Sequence, residues 1–185
     1  MVEEKMEMEL EVLRDVTRRL NGLEIPFMVT GSMAMMFYSL MRMTRDIDIV
    51  VELKLEDVER FLAALDNDYY IFPDEVRAAL RARRMFNAIH QQSVMKVDFI
   101  SRKESEYDKV AFSRRKSFQI RGFETWVTSP EDLILAKLTW SRQSRSEMQK
   151  KDIKALLATN CDRAYVLNWA EKLGLAEWFE ECSHE

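Results

Sequence analysis

Cysteine is nearly missing from this chain of 185 residues: Cys161 and Cys182 are the only two. Neither lies in a CxxC pair, so neither a zinc site nor a disulfide framework is indicated, and both read as reduced thiols. No run of about eighteen apolar residues occurs, so no membrane span is expected. The first residues, MVEEKMEMELEVL, are acidic and lack the basic-then-apolar layout of a secretion signal, which points to the cytoplasm. An excess of positive charge is missing too. The formal net charge of -4 disfavours bulk non-specific nucleic-acid binding while leaving a local basic groove open. Internal repeats and low-complexity linkers are also absent. His90 sits in an apolar run and reads as structural; His184 falls in a terminus expected to fray.

What is present suits one domain with a helical appendage: 47% hydrophobic and 32% charged residues, enough for a real core. Residues 4–21 carry apolar side chains at helical spacing (Met8, Leu10, Val12, Leu13, Val16, Leu20). A strand is predicted over 26–30, a buried helix over 32–42 and a strand over 46–52. Helices are predicted over 55–66 and over 73–84, the latter with Pro73 in its first turn. A hairpin follows over 85–91 and 95–101, then a short helix over 105–115. Two short strands around Gly122 fill 116–129. Beyond that, helices are expected at 130–142, 145–158, 163–173 and 175–181, the first opened by Ser129 as N-cap and Pro130. The picture is an α/β part over residues 1–128, followed by a helical region, 129–185.

The stretch TGSMAMMFYSLMRMTRDIDIVV (30–51) poses the chemical question. On a strand, Asp46 and Asp48 point to the same side while Ile47 and Ile49 point into a core. Asp98, inside the apolar run VMKVDFI, joins them if its strand lies alongside. Three adjacent carboxylates repel unless something compensates. A divalent cation would do so, Mg²⁺ being held by carboxylates, waters and substrate phosphates, and two such ions flank in-line phosphoryl displacements. Gly31 permits a tight turn and close backbone approach, and the amides and hydroxyl at Ser32 would favour phosphate.

These residues resemble the nucleotidyltransferase superfamily, whose fold is that of DNA polymerase beta. The pattern there is Gly-Ser or Gly-Gly at a strand–helix turn, Asp-x-Asp on the next strand and a third acid on a later one. Here it runs TGSMAMM, RMTRDIDIVV and MKVDFI. The form RxTxDID, with Arg42 and Thr44, is similar to a bacterial and archaeal branch that includes toxin–antitoxin and abortive-infection nucleotidyltransferases; it also resembles antibiotic nucleotidyltransferases. The resemblance spans roughly residues 25–157 and implies an α+β fold, a mixed sheet flanked by helices with the helical region packed on it. It implies Gly31, Ser32, Arg42, Thr44 and Lys137 around a nucleoside triphosphate such as ATP. It implies Asp46, Asp48 and Asp98 as ligands of Mg²⁺ or Mn²⁺, with Asp98 also the base for an acceptor hydroxyl on tRNA, protein or a small molecule. An antitoxin partner or a homodimer is a further expectation.

Plainer readings stand beside these. Asp46 and Asp48 also suit an exposed strand or a salt-bridge site. Asp98 suits an edge strand, where a charge discourages aggregation. Arg42 and Arg45 offer another neutralisation of the aspartates. Lys137 suits a surface lysine with a buried stem, and Trp126 and Trp140, which could stack a base, more readily suit core packing. The methionines at 33, 35, 36, 41 and 43 read as core filler. A catalytically silent, partner-binding member of the fold is the alternative function. A helix-turn-helix DNA binder over 130–180 lacks a convincing recognition face.

Overall fold

Seven strands and their helices form one mixed α+β assembly in the computed structural model, which describes residues 2–38, 44 and 46–183. Helix α1 (Val2–Gly22) leads into β1 (Phe27–Thr30), α2 (Gly31–Met35) and β2 (Asp46–Val51). Then come α3 (Val58–Leu65), β3 (Tyr69–Tyr70), α4 (Pro73–Arg81), β4 (Met85–His90), β5 (Met95–Ser101), α5 (Glu106–Ser113), β6 (Lys116–Ile120) and β7 (Phe123–Val127). Helices α6 (Pro130–Ser141), α7 (Glu147–Leu157), α8 (Arg163–Lys172) and α9 (Ala176–Ser183) complete the fold. The sheet order is β3-β4-β5-β2-β1-β7-β6, with β2–β5 and β1–β7 parallel and the other pairs antiparallel.

Side-chain alternation divides the sheet into two faces. Phe27, Val29, Ile47, Ile49, Val51, Val97 and Phe99 are buried on one face. There Phe61 of α3 meets Phe86 and Phe99 edge-on, and Thr17 of α1 bonds Thr125 of β7. The opposite face carries Thr30, Asp48 and Ile100, which share a cavity with Leu133, Ala136 and Lys137 of α6. Helix α6 is buried nearly all round, as a helix sandwiched between a sheet and other helices must be. Its capping signals work as read: the Ser129 hydroxyl accepts from the Asp132 amide at 3.2 Å.

Three details depart from the sequence reading. The helix expected at 55–66 opens with a 3-10 turn, Leu55–Asp57. Strand β3 was not expected: two residues are too short for alternation to register. The helix expected over 32–42 is α-helical only to Met35 and 3-10 over Met36–Tyr38, and its remainder lies outside the described residues. No helix among the described residues is long and apolar enough to cross a membrane.

One polar network ties the helices to the sheet. Arg114, at the end of α5, reaches Asp132 at 3.2 Å and Glu131 at 2.9 Å, and stacks over Tyr165 at 3.9 Å. Tyr165 donates to Asp132 at 2.8 Å, and the Asp162 amide donates to Glu131 at 3.0 Å. Both carboxylates are almost fully buried, so removing their cation strands them. Arg114→Leu is expected to lower unfolding free energy by roughly 2 kcal/mol, short of the full buried-pair effect because the guanidinium is partly solvated. Urea denaturation measures this, and an unchanged midpoint refutes it.

Candidate active site

The strand register brings the aspartates together. Asp48 of β2 lies directly opposite Thr30 of β1 on one side and Asp98 of β5 on the other. Asp46 lies opposite Lys96. All point to the face that α6 covers. Strand β5 is interior, between β4 and β2, and Asp98 is buried, which removes the edge-strand reading.

Lys96 is the residue that the sequence reading missed. Its ammonium lies 2.7 Å from Asp98 Oδ2 and 3.7 Å from Asp46 Oδ2. It stands two positions before Asp98 on the same strand, so alternation alone was the available signal. A lysine thus compensates two of the three carboxylates. Asp46 is also braced by Thr44, whose hydroxyl donates to the Asp46 carbonyl at 2.9 Å and lies 3.3 Å from its carboxylate. The Thr44 amide in turn donates to Glu9, which is buried. Thr44 therefore orients Asp46 rather than lining the cavity. Asp48 has weaker compensation: burial, then Asp46 and Asp98, push its carboxyl up to about 6, against the pull of Lys96 and Lys137.

Gly31 makes the close approach possible. Its φ is +64°, and a Cβ there would lie 2.0 Å from Asp48 Oδ2. Gly31, Ser32 and Asp48 line a cavity of about 160 Å³ with Lys137, Trp140 and Gln149. Lys137 is not a surface lysine. It is buried in α6, 2.8 Å from Asp152 and 3.2 Å from Gln149 of α7. Trp140 departs from the core-packing expectation in the opposite sense, being 69% exposed at the cavity mouth. Trp126 is half-buried under the Arg115 guanidinium. A cavity of about 660 Å³ lies around Ile25, Val51 and Ser101 and contains none of the expected site residues. Arg42 and Arg45 lie outside the described residues, as does His184.

Among the described residues, no three acidic, histidine or cysteine side chains group tightly enough to hold a metal by themselves. A Mg²⁺ site needs less protein than that, since one or two carboxylates plus phosphates and water suffice. Asp46 and Asp98 already share one cationic centre, the Lys96 ammonium. Asp98 Oδ1 is buried with no hydrogen-bond partner, an oxygen that a cation would satisfy. The donor set fits a divalent ion completed by a phosphate ligand.

The comparisons bear on the family and the fold. The family model described as "Nucleotidyltransferase of unknown function (DUF6036)" matches residues 4–173. An antigenic nucleotidyltransferase-like protein of Paracoccidioides brasiliensis superposes with a TM-score of 0.59 at 17% identity, covering 93% of this chain and 92% of that one. TM1012 of Thermotoga maritima, assigned to the nucleotidyltransferases, gives 0.55 at 18% identity, with 78% and 92% covered. The lincosamide antibiotic adenylyltransferase LnuA, bound to lincomycin, gives 0.53 at 14%, with 84% and 96% covered. At such identities the likeness shows the fold. No curated protein matches the sequence significantly.

Two outcomes follow from the site's geometry. Gly31→Ala must move Asp48 or the turn, and should lower stability by on the order of 1–2 kcal/mol; denaturant unfolding at pH 7.5 tests it, and wild-type stability would contradict the close approach. Asp48 has a raised carboxyl, so between about pH 4 and 6 the folded state holds more protons than the unfolded one. Its contribution to stability therefore declines as pH rises through that window. With chelator present, Asp48→Asn should flatten the decline and raise Tm at pH 7.5 by a few degrees. A Tm equal to or below wild type there would count against the assignment.

Proposed function

The chain belongs to the family "Nucleotidyltransferase of unknown function (DUF6036)", and from that premise we propose that it transfers a nucleoside monophosphate from a nucleoside triphosphate such as ATP to an acceptor hydroxyl, using Mg²⁺ or Mn²⁺. The observation that carries this is the facing pair Asp48–Asp98 beside a cavity lined by Gly31, Ser32 and Lys137. Residues 1–128 act as the catalytic part in this reading, and residues 129–185 pack on it and close the cleft.

Asp46, Asp48 and Asp98 would hold the metal, together with the triphosphate. The metal, when bound, supplies positive charge to the phosphates and to the departing pyrophosphate. Gly31 lets the backbone approach the phosphates, and the Ser32 hydroxyl donates to them. Lys137 contributes a positive charge from α6, held in place by Asp152 and Gln149. Asp98 takes the proton of the acceptor hydroxyl. The acceptor oxygen forms a bond to the α-phosphorus while the bond from that phosphorus to the pyrophosphate oxygen breaks. Positioning and charge compensation perform most of the work in such a step. Thr44 acts through Asp46, as a positioning residue. The nucleotide-binding role that the resemblance gives Arg42 stays within this proposal. A small-molecule acceptor is supported by LnuA, itself an antibiotic adenylyltransferase; tRNA and protein hydroxyls are the other acceptors this chemistry serves.

The test incubates wild type, Asp48→Asn and Asp98→Asn with each labelled nucleoside triphosphate, Mg²⁺ and pools of RNA, protein and antibiotics. Wild type should label one pool, and each variant should lose at least about a hundredfold in rate. Transfer undiminished in Asp48→Asn would overturn the assignment.

A further inference from the structure

Trp140 has no role in the chemistry above, yet it is among the most exposed large apolar side chains of the described residues. Leaving an indole in water forgoes the burial that normally places tryptophan. Its position is not arbitrary. Leu133, Ala136, Lys137 and Trp140 recur at helical spacing and line the small cavity together with Gly31 and Asp48. A larger cavity, of about 480 Å³, shares Thr30, Ile100, Ala136 and Trp140 with it, so Trp140 lines both. Ala136, one turn earlier, also lines both, and its short side chain leaves room beside the indole.

We infer that Trp140 is the stacking platform for the heterocyclic base of the donor nucleotide, an assignment that rests on the nucleotide reading above. A ligand with its phosphates at Gly31 and Lys137 and its base in the larger cavity would lie against the indole, which lines both. Every nucleobase has a π face, so stacking on a tryptophan is tolerant of base identity. Lys103, Asp108, Arg142 and Gln143 are among the polar residues on the wall of the larger cavity that could meet the base edge. Stacking by itself favours purines through their larger face.

The experiment is calorimetric titration with Mg²⁺ of two probes, ATP and inorganic tripolyphosphate, on wild type, Trp140→Ala and Trp140→Phe. The alanine variant should bind ATP about tenfold more weakly and tripolyphosphate as wild type does. The phenylalanine variant should recover most of the ATP affinity. Unchanged ATP binding in Trp140→Ala overturns the inference, and so does an equal loss for both probes, which would mark a structural effect. Wild type that binds neither probe would instead remove the nucleotide reading itself, so the two failures are distinguishable.

Discussion

Three carboxylates on two neighbouring strands, facing the same side, are the constraint on which the site depends. The parallel pairing of β2 with β5 forces Asp48 against Asp98, and the same register sets Lys96 against Asp46. An ammonium shared by Asp46 and Asp98 makes the arrangement tolerable. Asp48 is left with burial and two like charges, which is why its carboxyl is pushed up. A fold seeking only stability would place an uncharged side chain there. Under the proposed function, a cation and a phosphate chain would relieve that repulsion.

The helical region contributes more than bulk. Helix α6 fills the space above the carboxylate face and is buried on nearly every side. Lys137 is one of its buried charged residues, with Glu131 and Asp132, and a buried lysine needs a partner. Asp152 and Gln149 of α7 supply it. The position of this cation beside the cavity is thus set by helix–helix packing. A second network, Arg114 with Asp132, Glu131 and Tyr165, fixes the start of α6 against the end of α5. Helix and sheet are thereby held at the spacing that leaves a cleft between them.

The cleft has polar and aromatic ends. The charged groups gather where β1 ends and α2 begins, at Gly31, while Trp140 stands exposed at the junction with the larger cavity. The roomier hollow around Ile25 and Val51 shares Ser101 and Arg102 with the larger of these cavities and contains none of the expected site residues.

The alternation of DIDIVV and the apolar setting of Asp98 made the two strands and their acids readable, because a strand's period of two survives any tertiary context. The N-cap serine and Pro130 announced the start of α6 for a similarly local reason. Local pattern by itself therefore determined the element order and the candidate acids, short of the two-residue strand β3, and the motif's family resemblance added the α+β class. Only the tertiary structure decided that Lys96 neutralises Asp46 and Asp98, that Lys137 is buried against Asp152, and that Trp140 is exposed. Each of those outcomes depends on what lies across a strand pair or beneath a helix, and such neighbours come from distant parts of the chain whose approach no local periodicity encodes.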